Sequence, residues 1–155
     1  MEIKVRKAKL SDLETILKMS RNLFKFERKF GKTFNMKWTY SEVGKKYFTG
    51  RLMHKDAIVL IAVDGEIPAG YLCSFKQKYY YRSLNPIAEI ENMYIDDKYR
   101  YKGVGKLLFK KLKQLLKREG VKRIKVGTLS QNEQAIRFYK RIGFEEFETI
   151  LEQDL

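Results

Sequence analysis

The segment Arg100-Tyr101-Lys102-Gly103-Val104-Gly105 constrains the fold more than any other stretch of the chain. It directly follows a strand-like run, Ile90-Glu91-Asn92-Met93-Tyr94-Ile95, and directly precedes a helix-like run from Lys106 to Glu119. A strand, a glycine turn and a helix in that order make an anion site. Gly103 and Gly105 let the backbone approach a ligand, and the helix start presents unpaired N–H groups and the positive end of its dipole. A pyrophosphate is the natural guest. Two familiar phosphate loops do not fit. In a dinucleotide fingerprint starting at Gly103, the third glycine position holds Leu108, and no Gly-Lys-Ser/Thr follows to make a Walker loop. A plain strand-to-helix turn is the competing reading of this segment taken alone.

A second segment changes the balance: Asn132-Glu133-Gln134-Ala135-Ile136-Arg137-Phe138-Tyr139-Lys140-Arg141-Ile142-Gly143-Phe144. The pattern Arg-x-x-Gly-x-Gly after a strand resembles the coenzyme A loop of the GNAT superfamily of N-acetyltransferases. The second segment resembles that family's Asn-x-x-Ala-x-x-Phe-Tyr-x-x-x-Gly-Phe signature. The two stand in the family's order and at its usual separation, which is far more specific than either motif alone. The resemblance is closest over Ala88 to Phe144, weaker over Ala57 to Gln77, and loose before that.

At 155 residues the chain reads as a single domain, 1–155, large enough for one well-buried core. No apolar run reaches membrane-spanning length and the N-terminus lacks a signal-peptide pattern, so the expectation is a cytoplasmic protein with no membrane partner. One cysteine, Cys73, and one histidine, His54, are too few for a structural zinc site, and no metal is expected. The formal charge is +14. A surface this basic can attract nucleic acid or ribosomes, steer a phosphate-rich cofactor inward, or reflect a general preference for lysine. The lysines are spread through the whole sequence rather than gathered in one tail, which favours the last reading.

Periodicity predicts a strand over Glu2–Ala8, then a helix opened by a capping box at Ser11-Asp12-Leu13-Glu14. An aromatic, basic stretch from Phe24 to Trp38 breaks at Gly31, and a weaker helix covers Ser41–Met53. Ala57–Val63 and Pro68–Lys76 read as a hairpin turning at Asp64-Gly65. Tyr79–Pro86 is a loop and Ala88–Ile95 a strand. The helix after the glycine turn has a leucine stripe and ends at Gly120. Val121–Thr128 is a strand, a short helix opens at Gln131 or Asn132, and Phe144–Leu151 is a final strand. The order predicts a mixed α/β (α+β) fold: a mostly antiparallel, six- to seven-stranded sheet with helices on both faces, which is also the fold the resemblance implies. The C-terminal hairpin common in the family is expected to be curtailed.

Acetyl transfer to an amine requires a base for the ammonium proton, donors for the developing oxyanion, and an acid for the leaving thiolate. Glu89 and Glu91 lie in an otherwise apolar strand at a spacing that puts both on one face. Two carboxylates so close are expected to raise each other's pKa. Their competing role is to face solvent or pair with nearby lysines. By resemblance either position serves as general base, Glu91 being the better match. The resemblance puts Tyr139 where the family's general acid stands, gives Asn132 a contact to the pantetheine arm beside its role as a helix cap, and makes the backbone of Met93, Tyr94 and Ile95 the partner of the pantetheine amides and the source of oxyanion donors. It places the pyrophosphate on Arg100, Tyr101, Lys102, Gly103, Val104, Gly105 and Lys106. The plain alternatives are a core aromatic at Tyr139 and solvated surface cations at Lys102 and Lys106. His54 is given no role. Tyr79-Tyr80-Tyr81 cannot all face inward and read as a pocket rim or a dimer contact.

These observations lead to an acetyl-coenzyme A-dependent N-acetyltransferase acting by direct transfer in a ternary complex. The acceptor is an amine on a protein N-terminus, a lysine or a small polyamine, and a homodimer is compatible. The rival reading is a basic nucleic-acid- or ribosome-binding module on the same fold without catalysis. Carboxylates in its groove argue against that.

Overall fold

The run Ile58-Val59-Leu60-Ile61-Ala62 demands a sheet covered on both faces, because successive strand side chains point opposite ways and all of these are apolar. The computed structural model describes all 155 residues and shows how the demand is met. Ile58, Leu60 and Ala62 pack in one core with Leu108, Leu112 and Leu116. Val59 and Ile61 pack in a second core with Ile16, Leu17, Leu23 and Phe48. The two cores lie on opposite sides of a five-stranded sheet ordered β1-β2-β3-β4-β5.

Strands β1 (Ile3–Lys7), β2 (Ala57–Asp64), β3 (Ile67–Gln77) and β4 (Ile87–Ile95) form antiparallel ladders, and β5 (Arg123–Val126) joins β4 in parallel. Helices α1 (Leu13–Glu27) and α2 (Glu42–Met53) cover one face. Helix α3 (Val104–Arg118) and α4 (Glu133–Arg141) cover the other. The exposed lysines 106, 110, 113 and 117 of α3 lie opposite its leucine stripe, and Gly120 ends it with positive φ.

Three expectations are corrected. The helix at Leu13 is not opened by a Ser11/Glu14 capping box. The Asp12 carboxylate instead accepts the Lys9 N–H at 2.7 Å and binds Arg6 at 2.8 and 2.9 Å, closing a short 3-10 turn before the helix. Strand β5 is only Arg123–Val126, shorter than the span Val121–Thr128. The final strand over Phe144–Leu151 is absent, so the sheet has five strands rather than six or seven. A strand exists only through a ladder. The one backbone bond of this segment runs from the Phe144 N–H to the Tyr139 carbonyl, and residues 145–155 make none.

Leu108 is fully buried between α3 and the sheet. Leu108→Ala is therefore expected to cost about 3 kcal/mol, seen as a lower urea midpoint at unchanged m-value.

Candidate active site

The site begins where two strands part. β4 pairs with β5 only over Ile87–Ile90, opposite Arg123–Val126. β4 then continues to Ile95 with β3 on one side, Met93 opposite Leu72, Tyr94 opposite Tyr71 and Ile95 opposite Gly70. Its other edge, from Glu91 to Ile95, has no strand beside it. Backbone donors and acceptors along that edge are left to a ligand, as an added strand would take them.

The end of β4 leads into the glycine turn. A short 3-10 turn at Asp97–Tyr99 precedes it, and the Arg100 guanidinium is held by Asp97 at 2.9 Å and by the Ile95 carbonyl at 3.2 Å. Arg100 also lies over the Phe26 ring, 4.7 Å from its centre. Its charge is thus committed within the protein. Lys102 and Lys106 are exposed on either side of the turn. Tyr101 and Gly103 both take positive φ, 61° and 83°. A side chain at Gly103 would meet nothing nearby, so its space is open to a ligand. Gly105 has a packing role as well. A Cβ there would lie 3.0 Å from the Phe138 ring, so its absence lets α3 sit against α4. The first bond of α3 runs from the Leu107 N–H to the Gly103 carbonyl at 3.1 Å. The N–H groups of Val104, Gly105 and Lys106 are therefore free at the helix start, the arrangement that binds phosphate.

Helix α4 packs into the core on the α3 side of the sheet. The Asn132 side-chain Oδ1 accepts the Ala135 N–H at 3.2 Å, capping the helix as expected. Tyr139 is 8% exposed and stands between the Phe138 and Phe144 rings, with centroids 5.2 and 5.4 Å away. Burial pushes its hydroxyl pKa above the ordinary value, so it keeps its proton. It has no hydrogen-bond partner within the chain.

On the α1/α2 face of β4 is a basin of acids. A bulge falls here: Asn92 pairs with Cys73 and Ile90 with Ser74, leaving Glu91 without a partner in the ladder. Glu91 accepts from Tyr47 at 2.6 Å and from both arms of Arg51 at 2.7 and 2.8 Å. Asn92 reaches the same Tyr47 hydroxyl at 3.1 Å. Glu89 accepts from Tyr79 at 3.2 Å and lies 3.6 Å from Lys125. The mutual pKa elevation expected of Glu89 and Glu91 does not occur at Glu91. Burial pushes its carboxyl up, but the hydrogen bonds from Arg51 and Tyr47 outweigh it and the net shift is down. The Cys73 thiol is pushed up to about 12, chiefly by burial and also by Glu91, so it stays protonated.

One acid escaped sequence reasoning. Glu27, at the end of α1, follows Ile16, Ser20 and Leu23 along the buried stripe of that helix. It is half-buried, burial raises its pKa, and no lysine or arginine lies within ion-pair distance. The helical spacing from Leu23 was the available signal, hidden by the aromatic residues around it. Among the tyrosines at 79–81, only Tyr79 turns inward, to Glu89, while Tyr80 and Tyr81 are exposed. Phe24, Trp38, Tyr47 and Phe48 pack on one another in the second core, and His54 accepts the Asp56 N–H at 3.0 Å in a turn.

The chain is 28% identical over 149 residues to an uncharacterized N-acetyltransferase of Methanocaldococcus jannaschii, matching 94% of this chain but only 62% of that protein's length. It is 22% identical over 146 residues to the spermidine N(1)-acetyltransferase of Thermoplasma acidophilum, covering 93% of this chain and 89% of the other. The crystal structure of the PaiA N-acetyltransferase of Thermoplasma acidophilum in complex with coenzyme A superposes with a TM-score of 0.79 at 22% identity, covering 97% of this chain and 94% of that one. The acetyltransferase (GNAT) family profile matches residues 21–144, most of the chain, and the protein belongs to that family.

Proposed function

We propose that this protein transfers the acetyl group of acetyl-coenzyme A directly to a primary amine. The observation that carries the reading is the unpaired edge of β4, Glu91–Ile95. It leads through the 100–103 turn to the free N–H groups of α3, and Tyr139, whose hydroxyl has no partner, lies in the same core that Met93 and Ile95 pack against. These groups fit a pantetheine arm, a pyrophosphate and a sulfur in that order. Acetyl-coenzyme A supplies the activated thioester. The β4 backbone holds the arm and offers donors to the carbonyl oxygen, and Val104, Gly105 and Lys106 hold the pyrophosphate through their N–H groups with Tyr101 and Lys102 beside them. Tyr139 gives its proton to the departing sulfur. A cysteine relay is disfavoured because the buried Cys73 remains a thiol.

The acceptor enters from the carboxylate basin. A protein N-terminus, a lysine and a small polyamine all present the required amine. Two acids in one basin, Glu89 and Glu91, favour a polyamine, and a relative named for spermidine supports that choice. Glu91, charged and bound to Arg51, and Glu89, bound to Tyr79, hold the cation. Glu91 is a poor first proton acceptor because its lone pairs are already taken. Glu27 has no competing cation and a raised pKa, and takes the ammonium proton before attack.

Coenzyme A is expected to raise thermal stability by about 2.7 kcal/mol at a hundred times its Kd, by mass action. Gly103→Val places a side chain where φ is 83° and should remove that gain. Full stabilisation of the variant would exclude this turn as the pyrophosphate site. Tyr139→Phe keeps the ring and is expected to bind coenzyme A normally while slowing single-turnover acetyl transfer about 10²-fold. A wild-type rate would leave Tyr139 as a packing residue.

The acids are separated by pH. A base with a raised carboxyl pKa loses its proton as pH rises through that pKa, so kcat/KM climbs on the acid side. Glu27→Gln is expected to abolish that limb and to lose less activity at high pH, where free amine is more abundant. Glu91→Gln is expected to keep the limb and raise KM for the amine. An intact acid limb in Glu27→Gln returns the base role to Glu91 or Glu89.

A further inference from the structure

β1 is the first strand in the order β1-β2-β3-β4-β5 and has a neighbour on one side only. The Ala8 N–H bonds the Val59 carbonyl at 2.8 Å, and β1 pairs with β2 in the register Ile3 to Asp64 through Lys7 to Leu60. Antiparallel bonds alternate along a strand, so Lys4 and Arg6 turn their N–H and C=O groups toward β2, as Ala8 does. Ile3, Val5 and Lys7 turn theirs outward, where no strand stands.

A groove adjoins this open ladder. Ile3 and Val5 are partly buried against the core on the α3 side. With Leu107, Lys110, Lys111 and Gln114 of α3 they line a space of about 210 Å³. Leu107 is 41% exposed, whereas Leu108, Leu112 and Leu116 of the same helix are buried. The rim is positive. α3 carries no acid from Val104 to Arg118, and neither Lys110 nor Lys111 has a carboxylate within ion-pair distance. The acids around β1 are already engaged. Glu2 lies 3.8 Å from Lys4, Asp12 is bonded to Arg6, and Asp64 accepts the Glu2 N–H at 3.0 Å and the Tyr99 hydroxyl at 3.3 Å.

An unpaired ladder, an apolar floor and free lysines together describe an extended chain that alternates apolar side chains with carboxylates. A second β1 does not meet that description. Antiparallel pairing of two β1 strands about Val5 sets Lys4 directly opposite Arg6, like charge against like. A polyphosphate would use the lysines but neither the ladder nor the floor. We propose that β1 and the adjoining flank of α3 dock an acidic, extended segment of a partner protein, which adds a strand to the β1 edge. Its apolar side chains lie beside Ile3, Val5 and Leu107, and its carboxylates meet Lys7, Lys110 and Lys111. The ladder supplies affinity and the groove selects the alternation. This surface shares no residue with the cofactor and acceptor sites, so the proposal is independent of the reaction assigned above.

Nuclear magnetic resonance of the full chain with capped octapeptides tests it. The probe alternates glutamate and valine. One control alternates lysine and valine, and another is the glutamate-valine peptide with its backbone N-methylated. The probe is expected to shift the Ile3, Val5 and Lys7 amides and slow their exchange, leaving exchange at Lys4 and Arg6 unchanged because they already bond β2. Both controls are expected to leave the three outward amides exchanging freely. The double variant Lys110→Glu/Lys111→Glu is expected to keep its thermal midpoint and to bind the probe about tenfold more weakly at low salt. No protection of the edge by the probe, or equal binding of the N-methylated peptide, would overturn the proposal. Outward amides protected before any peptide is added, increasingly so with protein concentration, would give the edge to a second copy. Shifts at Lys110 and Lys111 with a single-stranded oligonucleotide, and none with the probe, would give the face to a polyphosphate. Either result would overturn the proposal as well.

Discussion

Everything at the candidate site follows from where β4 and β5 stop being neighbours. Two parallel strands leave the ladder together at Ile90 and Val126, and β4 alone continues to Ile95. A central strand with one naked edge is costly unless something takes its hydrogen bonds. The turn at 100–103 and the start of α3 then add free N–H groups at the end of the same edge. Helices α1 and α4 lie on opposite faces of the sheet, and the parting of the strands leaves the β4 edge open between them.

The bulge at Glu91 shapes the other face of β4. Ala88 and Ile90 pack toward α3, as do Met93 and Ile95, so the alternation slips by one residue between them. The slip turns Glu91 and Asn92 together toward Tyr47. The pair between Arg51 and Glu91 is partly buried, and its value is geometric as much as energetic. It ties α2 to β4 across 40 residues of sequence, and it keeps Glu91 charged.

Sequence reasoning reached the parts of this site that local chemistry dictates. Gly103 was legible because a turn with positive φ excludes most residues, and Asn132 because a helix start needs a side-chain acceptor. Arg51 and Tyr47 were not legible. They sit on a helix with little amphipathic contrast, and their role depends on a strand far away in sequence. Gly105 has in addition a packing role that its local sequence does not reveal, since a Cβ there would press on the Phe138 ring. The strand expected at Phe144–Leu151 failed because period-two patterning shows only that a segment can pair, never that a partner is present.

Amide hydrogen exchange with and without coenzyme A tests the central claim most directly. Cofactor in the parted strands predicts new protection at the amides of Glu91–Ile95 that face the open edge and at Val104, Gly105 and Lys106, with the antiparallel ladder of β2 and β3 unchanged. Protection confined to the lysine-rich outer face of α3, with the β4 edge still exchanging freely, would contradict the account.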